Sequence, residues 1–293
     1  MHLQKKILIT GSTGFIGKNL IKNIPRLHKL YCISRKKIIN KNINYIQANL
    51  FNKKRIGKIL KELKPDYLIH LAWEAKPKKY LHAKSNIKWV EASKNIFLHF
   101  CKNKGKKAVL IGSILENDFN NKIFYENQVN PKLKKDKNLY NISKIKFYNQ
   151  AKIIAKNYNV KFVWARIAWL YGPYESKQRL IPKLIDSLKN YKKMKISNPM
   201  NSINILHVKD VVNLIYLLLF NKIYGVVNLA YSNTFKIIDV INLLIKIMKK
   251  NKNKLTFSQN NNPINFSVIT KKIILMKYKF KYNLVTGLKS LIL

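Results

Sequence analysis

Through roughly the first 170 residues the apolar positions follow two alternating rhythms. Compact apolar runs at 5–10, 30–34, 44–47, 67–71, 108–111 and 160–167 have the length and side-chain content of buried strands. Between them, 15–23, 53–64, 84–104 and 139–157 space their apolar side chains at helical intervals. Parallel strands need a crossover between neighbours, so strict alternation predicts a parallel sheet with helices on both faces. After Tyr171-Gly-Pro173 the rhythm changes. A helix is expected at 180–188, a buried helix at 211–220, a short strand at 226–230 and an amphipathic helix at 237–248, with less regular chain beyond. There is no internal repeat, and 258–262 reads as a polar loop and not as a linker. The expected fold is α/β: a doubly wound parallel sheet over 1–168 and a smaller substrate-binding lobe over 169–293, partly interleaved with it.

The first apolar run leads into Gly11-Ser-Thr-Gly-Phe-Ile-Gly17. A strand that turns through glycines into a helix builds an anion site: the glycines allow a tight turn, close approach of a diphosphate and close helix–strand packing. The helix that follows points free N–H groups and a positive dipole end at the anion. The nucleotide-triphosphate alternative fails, because Gly17-Lys18 is followed by Asn19 and position 12 is Ser12. Gly11, Thr13, Gly14, Phe15, Ile16 and Gly17 are therefore candidate dinucleotide contacts. The second strand of such a unit ends in a carboxylate when it holds NAD. Here it ends in Ser34-Arg35-Lys36-Lys37, and no Asp or Glu precedes Glu62. Ser34 and Arg35 suit a 2′-phosphate, so NADP is the expected cofactor and NAD the alternative.

Tyr140 and Lys144 stand four residues apart, on one face of the expected helix. A tyrosine must become more acidic to exchange protons near neutrality, and an adjacent ammonium favours that. The same spacing recurs at Tyr80/Lys84, Tyr148/Lys152 and Tyr191/Lys195, which read as coincidences on solvated helix faces. Tyr140 alone opens a helix between the strand at 108–111 and the strand holding Arg166. Ser113 stands just past the end of Val109-Leu-Ile-Gly, where open α/β sheets bind ligands, and its hydroxyl can hold a substrate oxygen. Tyr140, Lys144 and Ser113 form the candidate catalytic set.

Together these motifs resemble the extended short-chain dehydrogenase/reductases, in particular the NAD-dependent epimerase/dehydratase family that acts on nucleotide sugars. The resemblance implies a Rossmann-type sheet and a nucleotide-sugar substrate. It also covers His70-Leu-Ala72, Arg166, Leu170-Tyr-Gly-Pro173, His207-Val-Lys-Asp210 and Val227-Asn-Leu-Ala230. It implies cofactor contacts at Leu71, Ala72 and Asn86, and a role for Lys144 on the nicotinamide ribose. Asn49, followed by Leu50, stands where the family has an Asp that contacts adenine. Trp169 replaces an Asn that touches substrate, and Ile203-Asn204 replaces an Arg-Asp pair whose Arg holds the nucleotide diphosphate. Arg179 or a nearby lysine is the expected substitute. The Asp-Glu pair of the family's 4,6-dehydratases is missing after Ser113, and Glu116 alone reads as a surface or structural carboxylate, with a second acid/base as the alternative. These departures, with Trp169 restricting rotation of a bound sugar, favour a reductase of 4-keto-6-deoxy nucleotide sugars. The alternatives are a nucleotide-sugar 4-epimerase and a non-catalytic dinucleotide-binding protein.

Charge adds little to this. The net +46 comes from lysines spread along the chain, with only five arginines, and reads as compositional drift of exposed sites and not as a nucleic-acid surface. No metal cluster, signal peptide or membrane span is expected; the longest apolar stretch, 211–220, is interrupted by Asn213. Cys32 and Cys101 suggest no disulfide, and a cytoplasmic homodimer is the expected form.

Overall fold

The structure, a computed structural model, describes residues 4–25, 27–77, 79–128, 138–258 and 262–292. The chain opens β1 (Lys6–Thr10), α1 (Phe15–Asn23), β2 (Lys29–Ser34), β3 (Asn44–Gln47), α2 (Lys53–Leu63), β4 (Tyr67–His70), α3 (Ser85–Lys102) and β5 (Lys107–Ser113). A single 3₁₀ turn, Ile114–Glu116, leads to β6 (Ile123–Phe124), α4 (Leu139–Asn157) and β7 (Lys161–Ile167). Next come β8 (Trp169–Tyr171), α5 (Leu180–Lys189), β9 (Met194–Ser197), β10 (Ser202–Ile203), β11 (Ile205–His207) and α6 (Val208–Phe220). The described chain closes with β12 (Gly225–Leu229), β13 (Phe235–Lys236), α7 (Ile237–Met248), β14 (Leu255–Ser258), β15 (Ser267–Val268), α8 (Lys271–Leu275) and α9 (Leu284–Lys289).

Seven strands form one parallel sheet in the order β12-β7-β5-β4-β1-β2-β3. From β1 the chain first builds outward to β3, then crosses back to β4. The order reverses between β1 and β4, and the crevice at their C-terminal ends is the place where such sheets take ligands. Strand residues alternate between the two faces. Ile7, Ile9, Val109, Val163 and Ala165 join a core closed by Leu20 of α1 and by Val211, Leu214, Ile215 and Leu218 of α6. Leu8, Ala108, Leu110, Phe162 and Trp164 join a second core with Ile56, Ile59 and Leu60 of α2, Phe97 of α3 and Phe147 of α4. This two-residue period makes register a matter of burial, since a one-residue slip would turn each face inside out.

A third core lies in the smaller lobe, where Ile181, Leu184, Ile203, Val240, Ile241, Leu244 and Leu288 meet. The lobe carries four two-stranded pairs, β10/β13, β11/β8, β14/β9 and β15/β6. The C-terminal half also serves the main sheet: β12 pairs with β7 in parallel, and α6 covers one face.

The expected and observed elements differ at informative places. Strand β5 runs on through Gly112 and Ser113, which pair with Arg166 and Ile167, so Ser113 is the last residue of the strand. Helix α6 begins at Val208, three residues early, because the His207 ring accepts the Lys209 N–H as a cap. Helices α2 and α4 start where Asn52 and Asn138 accept the N–H of Arg55 and Asn141, caps worth about 1 kcal/mol each.

Candidate active site

Four segments converge at the C-terminal ends of β1, β4 and β5. The first is the glycine loop. Gly11 has φ +75, and a Cβ there would lie 2.7 Å from the Ala72 nitrogen. A Cβ on Gly17 would come within 2.2 Å of the Gly11 carbonyl oxygen. Both positions therefore exclude any side chain. Gly14 differs: a Cβ would meet only the Gly11 oxygen, at 3.3 Å, so the crest of the loop is open. Thr13 and Gly14 are exposed, whereas Phe15 and Ile16 are half-buried against the first core. No side chain caps α1, so its first-turn N–H groups face this open crest. An uncapped helix start behind an open glycine crest fits a dinucleotide's diphosphate.

The second segment is the end of β4. His70 is buried, with Nδ1 2.7 Å from the Thr10 hydroxyl and Nε2 2.8 Å from the Ser93 hydroxyl. Burial pulls its pKa down to about 3, with the Lys144 charge adding to the effect, so the ring is neutral. The ring ties the glycine loop to α3. Leu71 donates its N–H to the Thr10 carbonyl at 3.1 Å, and Ala72 is buried beside Gly11.

The third is the loop before α3. Asn86 donates to the Tyr80 and Ala83 carbonyls at 2.7 and 2.9 Å and accepts from Trp73 Nε1 at 2.8 Å. All its bonds here are to the protein itself. The Leu81 carbonyl accepts the Tyr140 N–H at 2.9 Å, and the Tyr80 ring stands edge-on to the Tyr140 ring at 5.0 Å. Tyr80 is thus a neighbour of the candidate tyrosine and not a residue of a solvated helix face. Of the other two look-alikes, Tyr148 is buried against Phe162 and Trp164, and Tyr191 is an exposed loop residue.

The fourth segment holds the candidate pair. Tyr140, in the first turn of α4, has Ser113 among the groups that act on its hydroxyl. Lys144 is buried one turn on; its Nζ donates to the Ile111 carbonyl at 2.8 Å and lies 5.7 Å from the Tyr140 ring centre. Burial raises the Tyr140 hydroxyl above the ordinary tyrosine range, helped by Glu116 and Tyr80, while Ser113 and Arg179 oppose the rise. Burial likewise pulls Lys144 well below the ordinary lysine range, with Glu116 opposing. The spacing predicts a tyrosine made more acidic by the neighbouring ammonium; in the folded protein desolvation outweighs that effect and shifts both groups toward their neutral forms.

Glu116 is buried behind this pair. Its Oε1 accepts the Ser113 N–H at 2.7 Å, its Oε2 accepts Trp164 Nε1 at 2.9 Å, and Arg166 Nε lies 3.5 Å from Oε2. Arg166 also donates to Asn117 Oδ1 and to the Tyr125 and Gln128 carbonyls. The carboxylate is structural and interior, the opposite of a surface residue. Its signal in the sequence was its rarity: one of twelve acids in the chain, placed three residues after a strand-end serine.

Toward the lobe, Arg179 is half-buried, its guanidinium 5.1 Å from the Tyr80 ring centre. Trp169 packs its ring against Phe119 and Phe266 at 6.4 and 6.2 Å. Asn204 is buried and bonds the Tyr231 carbonyl and N–H, and Ile203 lies in the lobe core. Pro173 and Tyr174 clasp α1: Asn19 donates to the Pro173 carbonyl at 2.8 Å, and Lys22 bonds the Tyr174 hydroxyl.

This arrangement meets its match in residues 7–230, which fit the NAD dependent epimerase/dehydratase family. The chain belongs to that family. A dTDP-D-glucose 4,6-dehydratase of Dictyostelium discoideum is 29% identical over 275 residues, covering 83% of this chain and 62% of the relative's own length. The chain thus spans less than two thirds of that relative. Among solved structures, the dTDP-glucose 4,6-dehydratase of Bacillus anthracis in complex with NAD has a TM-score of 0.82 at 20% identity, covering 98% of this chain and 94% of the other. The UDP-glucose 4-epimerase of Thermotoga maritima with UDP-glucose has the same TM-score and identity, covering 97% and 96%.

The expectation of NADP does not stand. The family is described by its dependence on NAD, and the Bacillus structure and further structures of similar likeness were solved with NAD. In the turn that suggested a 2′-phosphate, the serine closes its own turn and the arginine side chain stands in solvent. The Ser34 hydroxyl accepts the Lys36 N–H at 3.2 Å, the Arg35 carbonyl accepts from Gln47 at 3.3 Å, and the Arg35 side chain is exposed. Asn49, also exposed, spends its Oδ1 on the Phe51 N–H, and Leu50 is buried in the second core. No helix among the described residues is long and apolar enough to cross a membrane.

Proposed function

We propose that this protein is an NAD-dependent nucleotide-sugar 4-epimerase. The observation that carries the reading is Tyr140 standing over Lys144 and near Ser113 while Glu116, the nearest carboxylate along the chain, is engaged as a brace. Such a site offers one proton-transfer group at one carbon. That suits reversible oxidation of a C4 hydroxyl better than a dehydration, which needs a further acid and base. The family relatives named above are dehydratases and an epimerase by name.

Gly11, Thr13, Gly14 and the first-turn N–H groups of Phe15, Ile16 and Gly17 would hold the NAD diphosphate. Leu71, Ala72 and Lys144 would line its nicotinamide ribose, Leu50 and Asn49 its adenine side, and Asn86 would support the loop between. When bound, NAD supplies a reversible hydride acceptor. Ser113 would hydrogen-bond the C4 oxygen, and Tyr140 would take its proton and later return it. The Lys144 ammonium favours the phenolate form that proton removal needs. Arg179, beside Tyr80, would meet the negative charge of the nucleotide diphosphate.

The test is incubation of the purified protein and catalytic NAD with UDP- and dTDP-hexoses. The C4 configuration is followed by proton NMR, and reduced nicotinamide by absorbance. Formation of the C4 epimer with no net change in reduced cofactor is expected. Elimination to a 4-keto-6-deoxy sugar, or stoichiometric oxidation of added NADH by a 4-keto-6-deoxy nucleotide sugar in a parallel incubation, would overturn the reading.

A further inference from the structure

Trp73 follows the Leu71-Ala72 turn and has no part in the chemistry above. Its ring lies against the Lys144 ammonium, with Nζ 3.8 Å from the ring centre. A cation within about 6 Å of an indole face is attracted by the ring's negative π surface. The ring is held from several sides. Its N–H donates to Asn86 Oδ1 at 2.8 Å, and it stacks against Trp89 at 6.4 Å and Phe147 at 6.2 Å. Asn86 is itself fixed by the Tyr80 and Ala83 carbonyls. The indole plane therefore has little freedom to turn away.

Lys144 is buried among few charges. Glu116 faces it from the turn after β5 and favours the ammonium; neutral His70 faces it from β4; Tyr140 lies on its own helix. A buried ammonium has lost its water, and the Ile111 carbonyl alone is a poor replacement.

We propose that Trp73 is a positioning residue, whose indole face keeps Lys144 charged and pinned against the Ile111 carbonyl beside Tyr140. The role in turnover rests on the reading of Tyr140 and Lys144 given above; the effect on the charge of Lys144 does not. A neutral amine gains little from a π face, so removing the face disfavours the charged form selectively. Burial has already moved the Lys144 pKa below that of a solvated lysine; Lys107 and Lys272 are displaced in the same direction, so the Lys144 signal is assigned by substitution.

The experiment uses the full chain with lysine ¹³C-labelled at Cε, the Lys144 signal being identified by its loss in Lys144→Met. Its titration midpoint is read in the wild type, Trp73→Leu and Trp73→Phe, with circular dichroism as the check on folding. Trp73→Leu should lower the midpoint by roughly 0.5–1.5 pH units, the equivalent of a cation–π contact. Trp73→Phe, which keeps a π face but loses the bond to Asn86, should recover at least half of that displacement. An unmoved or raised midpoint in a folded Trp73→Leu protein, or equal displacement in both variants, would overturn the proposal. The alkaline limb of turnover should move with the midpoint. Displaced midpoints in a protein inactive on every nucleotide sugar would leave the role of Trp73 intact and discard the epimerase.

Discussion

Substituting Glu116 separates a brace from an acid/base. Glu116→Ala removes the acceptor of two buried donors, the Ser113 N–H and Trp164 Nε1, and takes the carboxylate from beside the buried Arg166 guanidinium, which keeps its bonds to Asn117, Tyr125 and Gln128. Each orphaned buried donor costs about 1–3 kcal/mol, and breaking a buried ion pair about 3–5 kcal/mol. The terms share one carboxylate and do not add, so the expected loss is about 4 kcal/mol. That is a large part of the ~5–15 kcal/mol that stabilises a typical domain. At about 2–4 °C per kcal/mol for a chain of this class, Tm should fall by about 8–16 °C. Glu116→Gln keeps one acceptor and should lose about half as much. Thermal unfolding by circular dichroism measures this directly. Turnover, assayed well below either Tm, adds a second reading. The Gln variant withdraws the charge that favours the Lys144 ammonium, so its activity should decline at alkaline pH and recover as the pH is lowered. Unchanged stability in the Ala variant would refute the brace. A loss of about 10²-fold or more in the Gln variant at every pH would make Glu116 an acid/base.

Tyr140→Phe should keep NAD binding, read by fluorescence titration, and lose about 10²–10⁴-fold in turnover, while Tyr148→Phe, whose ring packing against Phe162 and Trp164 survives, should turn over normally. Gly17→Ala forces a Cβ to 2.2 Å from the Gly11 oxygen, so calorimetric titration should find NAD binding abolished or greatly weakened. Arg35→Ala, which removes an exposed side chain, should leave NAD affinity nearly unchanged in the same titration. His70 has a folded pKa near 3 against an ordinary 6.5, so its contribution is complete above about pH 6.5 and is lost as the pH falls toward 3. At pH 5 that loss is roughly 2 kcal/mol, and the gap in unfolding free energy between wild type and His70→Asn should narrow by about that amount between pH 7 and pH 5.

What could be read from the residues depended on the length scale of the signal. Strands β1, β2, β4 and β7 are apolar runs bounded by turns, and α1, α2 and α4 carry a full helical stripe, so their positions follow from periodicity. Strands such as β10, β13 and β15 are two residues long and have no period to detect. They exist because Ile203 and Val268 find partners far along the chain. At the site, Tyr140, Lys144 and Ser113 were legible because a helix face and a strand end fix their directions locally. Trp73 and Tyr80 were not, because they sit in an irregular loop whose course is set by Asn86, and no spacing rule relates them to α4. The cofactor was misread for a related reason. In so lysine-rich a chain Ser34-Arg35 resembled a phosphate grip, and only the fold revealed the serine capping its own turn.

The pairing of β12 with β7 also has a consequence in time. Residues up to Ile167 can form six of the seven strands of the sheet, but the seventh strand and the α6 cover of one face lie between Val208 and Leu229. On a ribosome the backbone edge of β7 and the apolar face that carries Ile7, Ile9 and Val163 must wait for roughly sixty more residues. At about 5–20 residues per second that wait is roughly 3–12 s. During it the nascent chain offers an unpaired parallel edge beside an apolar face that α1 covers without α6, a combination that can capture a neighbouring chain. The dinucleotide half of this protein is first in the sequence and yet cannot be finished first.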